Sequence, residues 1–459
     1  MPNSNETDLA SAPVGRLFLR LAVPSVTAQI INVTYNIADR IYIGHIPKTG
    51  ALSLTGIGIT MPVILAVSSF SLLVSMGGAP RASIALGQKE HETAEKILGT
   101  CAFSLAVISV IITAILLLFS EKILSAFGAS PNTLPYATEY VSVYCLGTIF
   151  VQLSLGLNSF ITSQGFALTS MFTVVIGAVI NIVLDPIFIY VFNMGVKGAA
   201  LATIISQAVS SIWVIKFLIS DKSIIKIRRK YLKLNLKLLL PCVALGTSPF
   251  LMQLAENLVA VSFNTALLKY GNDTAVGAVT ILSSIMNFTM LLLVGLTQGA
   301  QPILSYNLGA GNFIRVKSAF RHLLCACLSG SAIIWFFCMF TPSAIAAMFT
   351  NDSELSAYTA YALRIYMSMS LIFGIQVACQ YSFVALNNAK SAIFLSIYRK
   401  ILILIPLIFI LPHFFENKAA AVFVAEPAAD TIAVCTTLFM FIRFFKTTLK
   451  SDQQTKEEI

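Results

Sequence analysis

Asp39, Asn181 and Asp185 are the residues best placed to do chemistry, because each sits in a run otherwise apolar enough to cross a lipid bilayer. A carboxylate in hydrocarbon costs about 2.5–3.5 kcal/mol on insertion scales, so such groups are rare and point to function. In Asn181-Ile-Val-Leu-Asp185-Pro186 the amide and the carboxylate are neighbours on one helix face. Counted at about 1.5 Å per residue, Asp39 lies about four residues, and Asp185 about seven, from the outer end of their spans. Tyr140 and Thr203 fall at comparable depth. Carboxylates, an amide oxygen and hydroxyls are hard ligands suited to Na+. The same set can hold a proton, since two close carboxylates cannot both ionise cheaply. The residues do not choose between the two ions.

A second group of acids lies later in the chain. Glu256 is about twelve residues from the outer end of its span, and Glu426 and Asp430 are about seven and eleven residues deep. The last two share a helix face, and the three form a second candidate cation pocket. Each acid also has a plainer reading. Asp39 adjoins Arg40 and could make an interfacial ion pair, and Asp185 precedes a proline. Pro427, between Glu426 and Asp430, would free backbone groups that need polar partners. Pro24 precedes Asp39 in the same span and is the expected hinge, since a proline removes one helical hydrogen bond. Ion binding near Asp39 would shift that span between straight and bent forms.

These residues must be positioned by membrane helices. Of 459 residues, 57% are hydrophobic and 11% charged, against roughly a quarter charged in soluble proteins. Mean hydropathy is +0.84. Twelve runs are long enough to span as helices: 17–43, 52–79, 95–119, 136–158, 166–192, 196–219, 238–268, 276–304, 318–341, 357–385, 392–412 and 419–445. Barrel strands would be half as long and alternate in polarity. Arg399 and Lys400 fall inside the eleventh run and are expected to snorkel to the surface. No cleavable signal peptide is expected, and the eight cysteines read as small packing residues.

The net charge of +10 reports topology rather than nucleic-acid binding. With twelve spans, all but seven of the 30 basic residues fall on the side that holds both termini. The positive-inside rule makes that side cytoplasmic. The one long charged stretch, Asp221–Lys237, separates an N-lobe (1–220) from a C-lobe (238–459). The halves superimpose at an offset of 222: Pro80 falls on Pro302, Leu86-Gly87 on Leu308-Gly309, and Tyr144 on Tyr366. Six spans in each half give a parallel repeat, with a pseudo-two-fold axis along the membrane normal and alternating access between the lobes. The expected fold is therefore an all-α integral membrane protein of two six-helix bundles.

In order and spacing, several segments resemble the multidrug and toxic compound extrusion (MATE) family. They are Tyr35-Asn-Ile-Ala-Asp39, Asn181–Pro186, Gly198-Ala-Ala-Leu-Ala-Thr203, Gln301-Pro302, Tyr306-Asn307-Leu308-Gly309-Ala310, and Glu426-Pro427 with Asp430. The resemblance covers about residues 15–445. It implies an H+- or Na+-coupled antiporter that exports amphipathic, often cationic, drugs from the cell membrane. It needs no cofactor beyond the coupling ion, and a monomer in lipid is expected. The family's N-lobe cation site maps onto Asp39, Asn181, Asp185 and Thr203, with Tyr140 nearby. A second site in some members uses a span-seven acid, matched by Glu256, and a span-ten acid, which this chain lacks. That second site would be incomplete, or remade with Glu426 and Asp430.

Phe70, Phe150, Phe160, Met286, Met290, Phe373 and Tyr381 offer an adaptable apolar wall for substrate. A flippase of related fold, moving lipid-linked precursors, is the alternative reading. An intramembrane enzyme is disfavoured, because no H-E-x-x-H, G-x-S-x-G or P-loop pattern occurs.

Overall fold

The structure, a computed structural model, describes residues 4–47 and 49–457, and the side chains of residues 8–447 other than Lys48 and Asp273. Three basic side chains of the charge argument, Lys48, Lys450 and Lys456, lie outside the described residues. All regular structure among the described residues is helical. Ten helices are long and apolar enough to cross a membrane, and two bent pairs bring the total to twelve if each pair is one span. The spans match the twelve expected runs in order.

The first unit carries Val14–Gly44, Gly50–Gly87, His91–Ala126, the bent pair Leu134–Leu146 with Thr148–Ser163, Ala167–Val191 and Gly195–Ile219. Leu236–Tyr270, Thr274–Gly309, Phe313–Phe340, the bent pair Ser353–Tyr366 with Ser370–Ala385, Ala389–His413 and Lys418–Thr447 follow. By compactness the chain divides into Met1–Gly246 with Ser305–Gly311, and Thr247–Leu304 with Asn312–Ile459. The boundaries fall inside the seventh and eighth spans. Each unit has its own apolar core, one around Tyr140, Tyr144 and Ile189, the other around Phe263, Tyr366 and Phe423.

Many hydroxyls inside the spans are satisfied by their own helices. Ser25 Oγ donates to the Leu21 carbonyl at 2.9 Å, and Thr289 Oγ1 to the Ile285 carbonyl at 2.9 Å. This back-bonding lets polar residues sit in hydrocarbon.

The repeat appears as backbone geometry. Lys89 and Gly311 take left-handed φ values of 64° and 67°, and Gly165 and Asn387 take 86° and 62°; each pair is related by the offset of 222. The two helix breaks are related in the same way, with bends of 60° and 54° after which the helices resume at Thr148 and Ser370. A break frees carbonyls that lipid cannot satisfy. Thr113 Oγ1 donates to the Cys145 carbonyl at 2.9 Å, and Trp335 Nε1 to the Ser368 carbonyl at 2.9 Å. Thr113 and Trp335 are themselves repeat partners. Within the first unit, a Cβ on Gly87 would strike the Tyr306 carbonyl, and one on Gly309 the Ile84 carbonyl. Only glycine permits those reciprocal contacts, which explains the matched Leu-Gly pairs.

The charged linker docks on the first unit. Gln164 Oε1 accepts from the backbone of Ile224 at 2.7 Å and of Ile225 at 3.0 Å, and Glu95 accepts from Arg228 Nε at 2.5 Å. Tyr231 Oη donates to Glu92 at 2.9 Å.

Candidate functional site

The helices Val14–Gly44 and Ala167–Pro186 pack directly on one another, and the second packs on Gly195–Ile219. Their apposition brings the first group of predicted residues together. Asp185 is fully buried, Asn181 is 1% exposed and Asp39 9%. Asn181 Nδ2 donates to Asp185 Oδ1 at 3.1 Å. The Tyr140 hydroxyl lies beside that of Thr203 and within electrostatic reach of both carboxylates. Thr203 Oγ1 donates to the Ala199 carbonyl at 3.0 Å, which leaves its lone pairs available.

Three of the group's acceptors are unused. Asp39 Oδ1, Asn181 Oδ1 and Asp185 Oδ2 are buried without a hydrogen-bond partner. A buried, unpaired polar atom costs about 1–3 kcal/mol, more when charged. Three such oxygens in one locality make a donor set suited to a proton or a small hard cation. Immediately after Asp185-Pro186 the helix widens into a π turn, Ile187–Val191. Such turns are frequent at functional sites.

The second group takes a form that sequence reasoning did not anticipate. Arg399 and Lys400 do not snorkel; they are 5% and 3% exposed. Arg399 Nε donates to Asp430 Oδ1 at 2.7 Å, and Nη2 to Glu426 Oε1 at 2.6 Å. Lys400 Nζ pairs with Glu256 Oε1. The guanidinium also lies 4.7 Å from the centre of the Phe373 ring. The physical reason is compensation: a buried partner from another span satisfies the charge better than stretching to a distant interface. The seventh, eleventh and twelfth spans are thus tied by a five-charge network with one surplus negative charge. A mobile cation at Glu256, Glu426 and Asp430 would have to compete with two resident ones. The signal was in the sequence, as two bases facing three acids at similar depth.

The repeat-related fifth and eleventh spans therefore differ in charge. Asp185 is the charged residue of Ala167–Val191, whereas the middle of Ala389–His413 carries Arg399 and Lys400 and no carboxylate. Of the expected apolar wall, Met290, Phe373 and Tyr381 line a small void of about 10 Å³ in the second unit, beside Gln376, Arg399 and Lys400. Phe160 instead fills the first unit's interior against Gly78.

The family model described as MatE matches residues 24–187 and, a second time, 249–410. The chain belongs to the MATE family. That is a family of transporters, not of enzymes, and the double match restates the internal repeat. Among curated relatives, the multidrug export protein MepA of Staphylococcus haemolyticus is 26% identical to this MATE protein over 433 residues, spanning 93% of this chain and 92% of the relative. MepA of Staphylococcus aureus (strain MRSA252) is 25% identical over 408 residues, 88% of each chain. Among solved structures, a MATE in the straight conformation superimposes with a TM-score of 0.91 at 20% identity, over 98% of this chain and 100% of that one. A MATE in the bent conformation gives 0.92 at 19% identity, over 98% and 99%. At that identity the likeness is one of fold, and the fold is the all-helical MATE fold.

Proposed function

We propose that this MATE protein exports amphipathic, often cationic, organic compounds in exchange for H+ or Na+, by alternating access. The observation that carries the coupling is the group of unpaired buried oxygens on Asp39, Asn181 and Asp185. A buried cluster of that kind is stable only when a proton or cation shares it, so its occupancy is tied to which side it faces. Thr203 and Tyr140 complete the ligand set. Pro24 lies in the helix that carries Asp39, so ion occupancy biases the bend of that helix. Met290, Phe373 and Tyr381 are the apolar part of the substrate surface. Both termini are cytoplasmic, and the protein works as a monomer in the cell membrane.

Energetics set a limit. A charge crossing 100 mV is worth about 2.3 kcal/mol. Exchange of one proton for one monocation cancels that contribution, so a tenfold proton gradient supports only about tenfold accumulation. Strong export therefore needs a larger gradient or a second ion.

The flippase reading is disfavoured because the basic pair at the second unit's void is outnumbered by Glu256, Glu426 and Asp430. An anionic precursor head would meet net negative charge there. The deciding experiment is efflux of a fluorescent organic cation from vesicles carrying wild type or Asp39→Asn, under H+ and Na+ gradients imposed separately. One gradient should drive wild type and neither the variant. Unchanged gradient-driven efflux in the variant removes the site assignment.

A further inference from the structure

By helix order, residues 45–47 and 49 and the turns at 127–133 and 192–194 lie at the end of the first unit away from the Asp221–Lys237 linker. A cavity of about 340 Å³ opens there, lined by Ile46, Ser53, Tyr136, Glu139, Ile189 and Tyr190 among others. That volume holds roughly ten waters at the liquid's share of space. Two of its walls lead straight to the carboxylate group: Ile189 is one turn beyond Asp185, and Tyr136 one turn before Tyr140, steps of about 6 Å each. Ile189 and Tyr190 belong to the π segment that follows Asp185-Pro186, and both line the cavity.

The lining is built for a cation. Ser53 is fully buried, and its Oγ has no hydrogen-bond partner. Glu139 brings a carboxylate, held 3.0 Å from Lys197 Nζ, with side chains 32% and 55% exposed. An ion pair that exposed contributes little net stability, so an incoming cation can displace it. Below, the Tyr190 hydroxyl donates to the Tyr42 carbonyl at 2.6 Å and joins the fifth span to the first.

We infer that this cavity is the port through which the coupling cation reaches Asp39 and Asp185 from the face opposite the linker, with Glu139 and Ser53 as its first binding station and the Tyr190–Tyr42 bond as the inner closure. The inference rests on the proposal that Asp39 and Asp185 bind the coupling ion. Lys197 acts as the competing resident cation and tunes how readily the station loads.

The test uses full-length protein in oriented proteoliposomes, with the driving ion, H+ or Na+, titrated on the face opposite the linker while efflux of a fluorescent organic cation is followed. Glu139→Gln removes an attracting charge and should raise the half-saturating ion concentration about two- to sixteenfold, the range for one charge some 10 Å away at effective dielectrics of 80 to 20. Lys197→Met removes the competitor and should lower it by a similar factor. Titration from the linker face should show neither shift. A purely structural role for the pair would move both variants in the same direction, through loss of folded protein. Absent or same-direction shifts, with Asp39→Asn still abolishing coupling, overturn the port and leave the coupling site standing. Full coupling in Asp39→Asn overturns both.

Discussion

Asn181 holds Oδ1 of Asp185 at 3.1 Å from one turn back, and Oδ2 of the same carboxylate has no partner. The amide thus fixes the carboxylate's rotation and leaves one oxygen for the ion. Asn181→Leu removes that restraint along with one ligand oxygen. A net hydrogen bond is worth about 0.5–1.5 kcal/mol, so the half-saturating ion concentration should rise about two- to tenfold. Ion titration of transport measures it; an unchanged value would mean the amide has no positioning role.

Asp39 and Asp185 should act as one unit. Asp39→Asn and Asp185→Asn should each reduce gradient-driven efflux to background. The double variant should be no worse than either single one, because residues acting together are grossly non-additive. Independent, multiplying losses in vesicle efflux would separate the two carboxylates.

Arg399 sits 2.7 Å from Asp430 and is almost wholly enclosed. Removing one partner of a buried ion pair strands the other charge, at a typical cost of about 3–5 kcal/mol. Arg399→Leu should therefore lower thermal stability in detergent sharply. Adding Glu426→Leu and Asp430→Leu should recover much of it, since apolar replacement of a whole buried ion group is often neutral. If the triple variant melts no higher than the single one, packing around Phe373, not charge, governs this site.

Gly147 marks the first helix break, and a Cβ there would strike the side chain of Ile204. Ile204 follows Thr203, so overpacking at the break is transmitted to the ligand set. Gly147→Val should cost about 1–3 kcal/mol and weaken ion dependence as well. Stability loss with unchanged ion half-saturation would confine the effect to packing.

The linker contact has a pH dependence of predictable sign. The bond to Glu95 raises the Arg228 guanidinium above its already high value. A raised base contributes fully below its ordinary range and loses its effect only as pH climbs past the elevated one, beyond any workable pH. Lys226 beside Asp221 pushes that carboxyl below its usual 3.8. Its contribution is present above that value and lost as pH falls through the lowered one. Limited proteolysis of the linker should be flat from pH 5 to 9 and faster only in stronger acid. Arg228→Met should raise the rate at every pH, and a rate that climbed between pH 5 and 9 would contradict the assignment.

The sequence by itself determined the apolar runs that become the spanning helices, the repeat and the place of each acid along its run. Hydrophobic span signals are local, contained in about 20 consecutive residues, and the repeat is a register between two stretches of one string. Asn181 and Asp185 could be paired on one face because four residues make one turn. What only the tertiary structure decided is which helices meet. Val14–Gly44 against Ala167–Pro186 puts Asp39 in reach of Asp185, and no local window carries that information. The same limit explains Arg399 and Lys400. Hydropathy prices a charge against lipid, so it sends a base inside a span to the surface. Folding prices it against the partners that other spans bring, and here those are Glu256, Glu426 and Asp430.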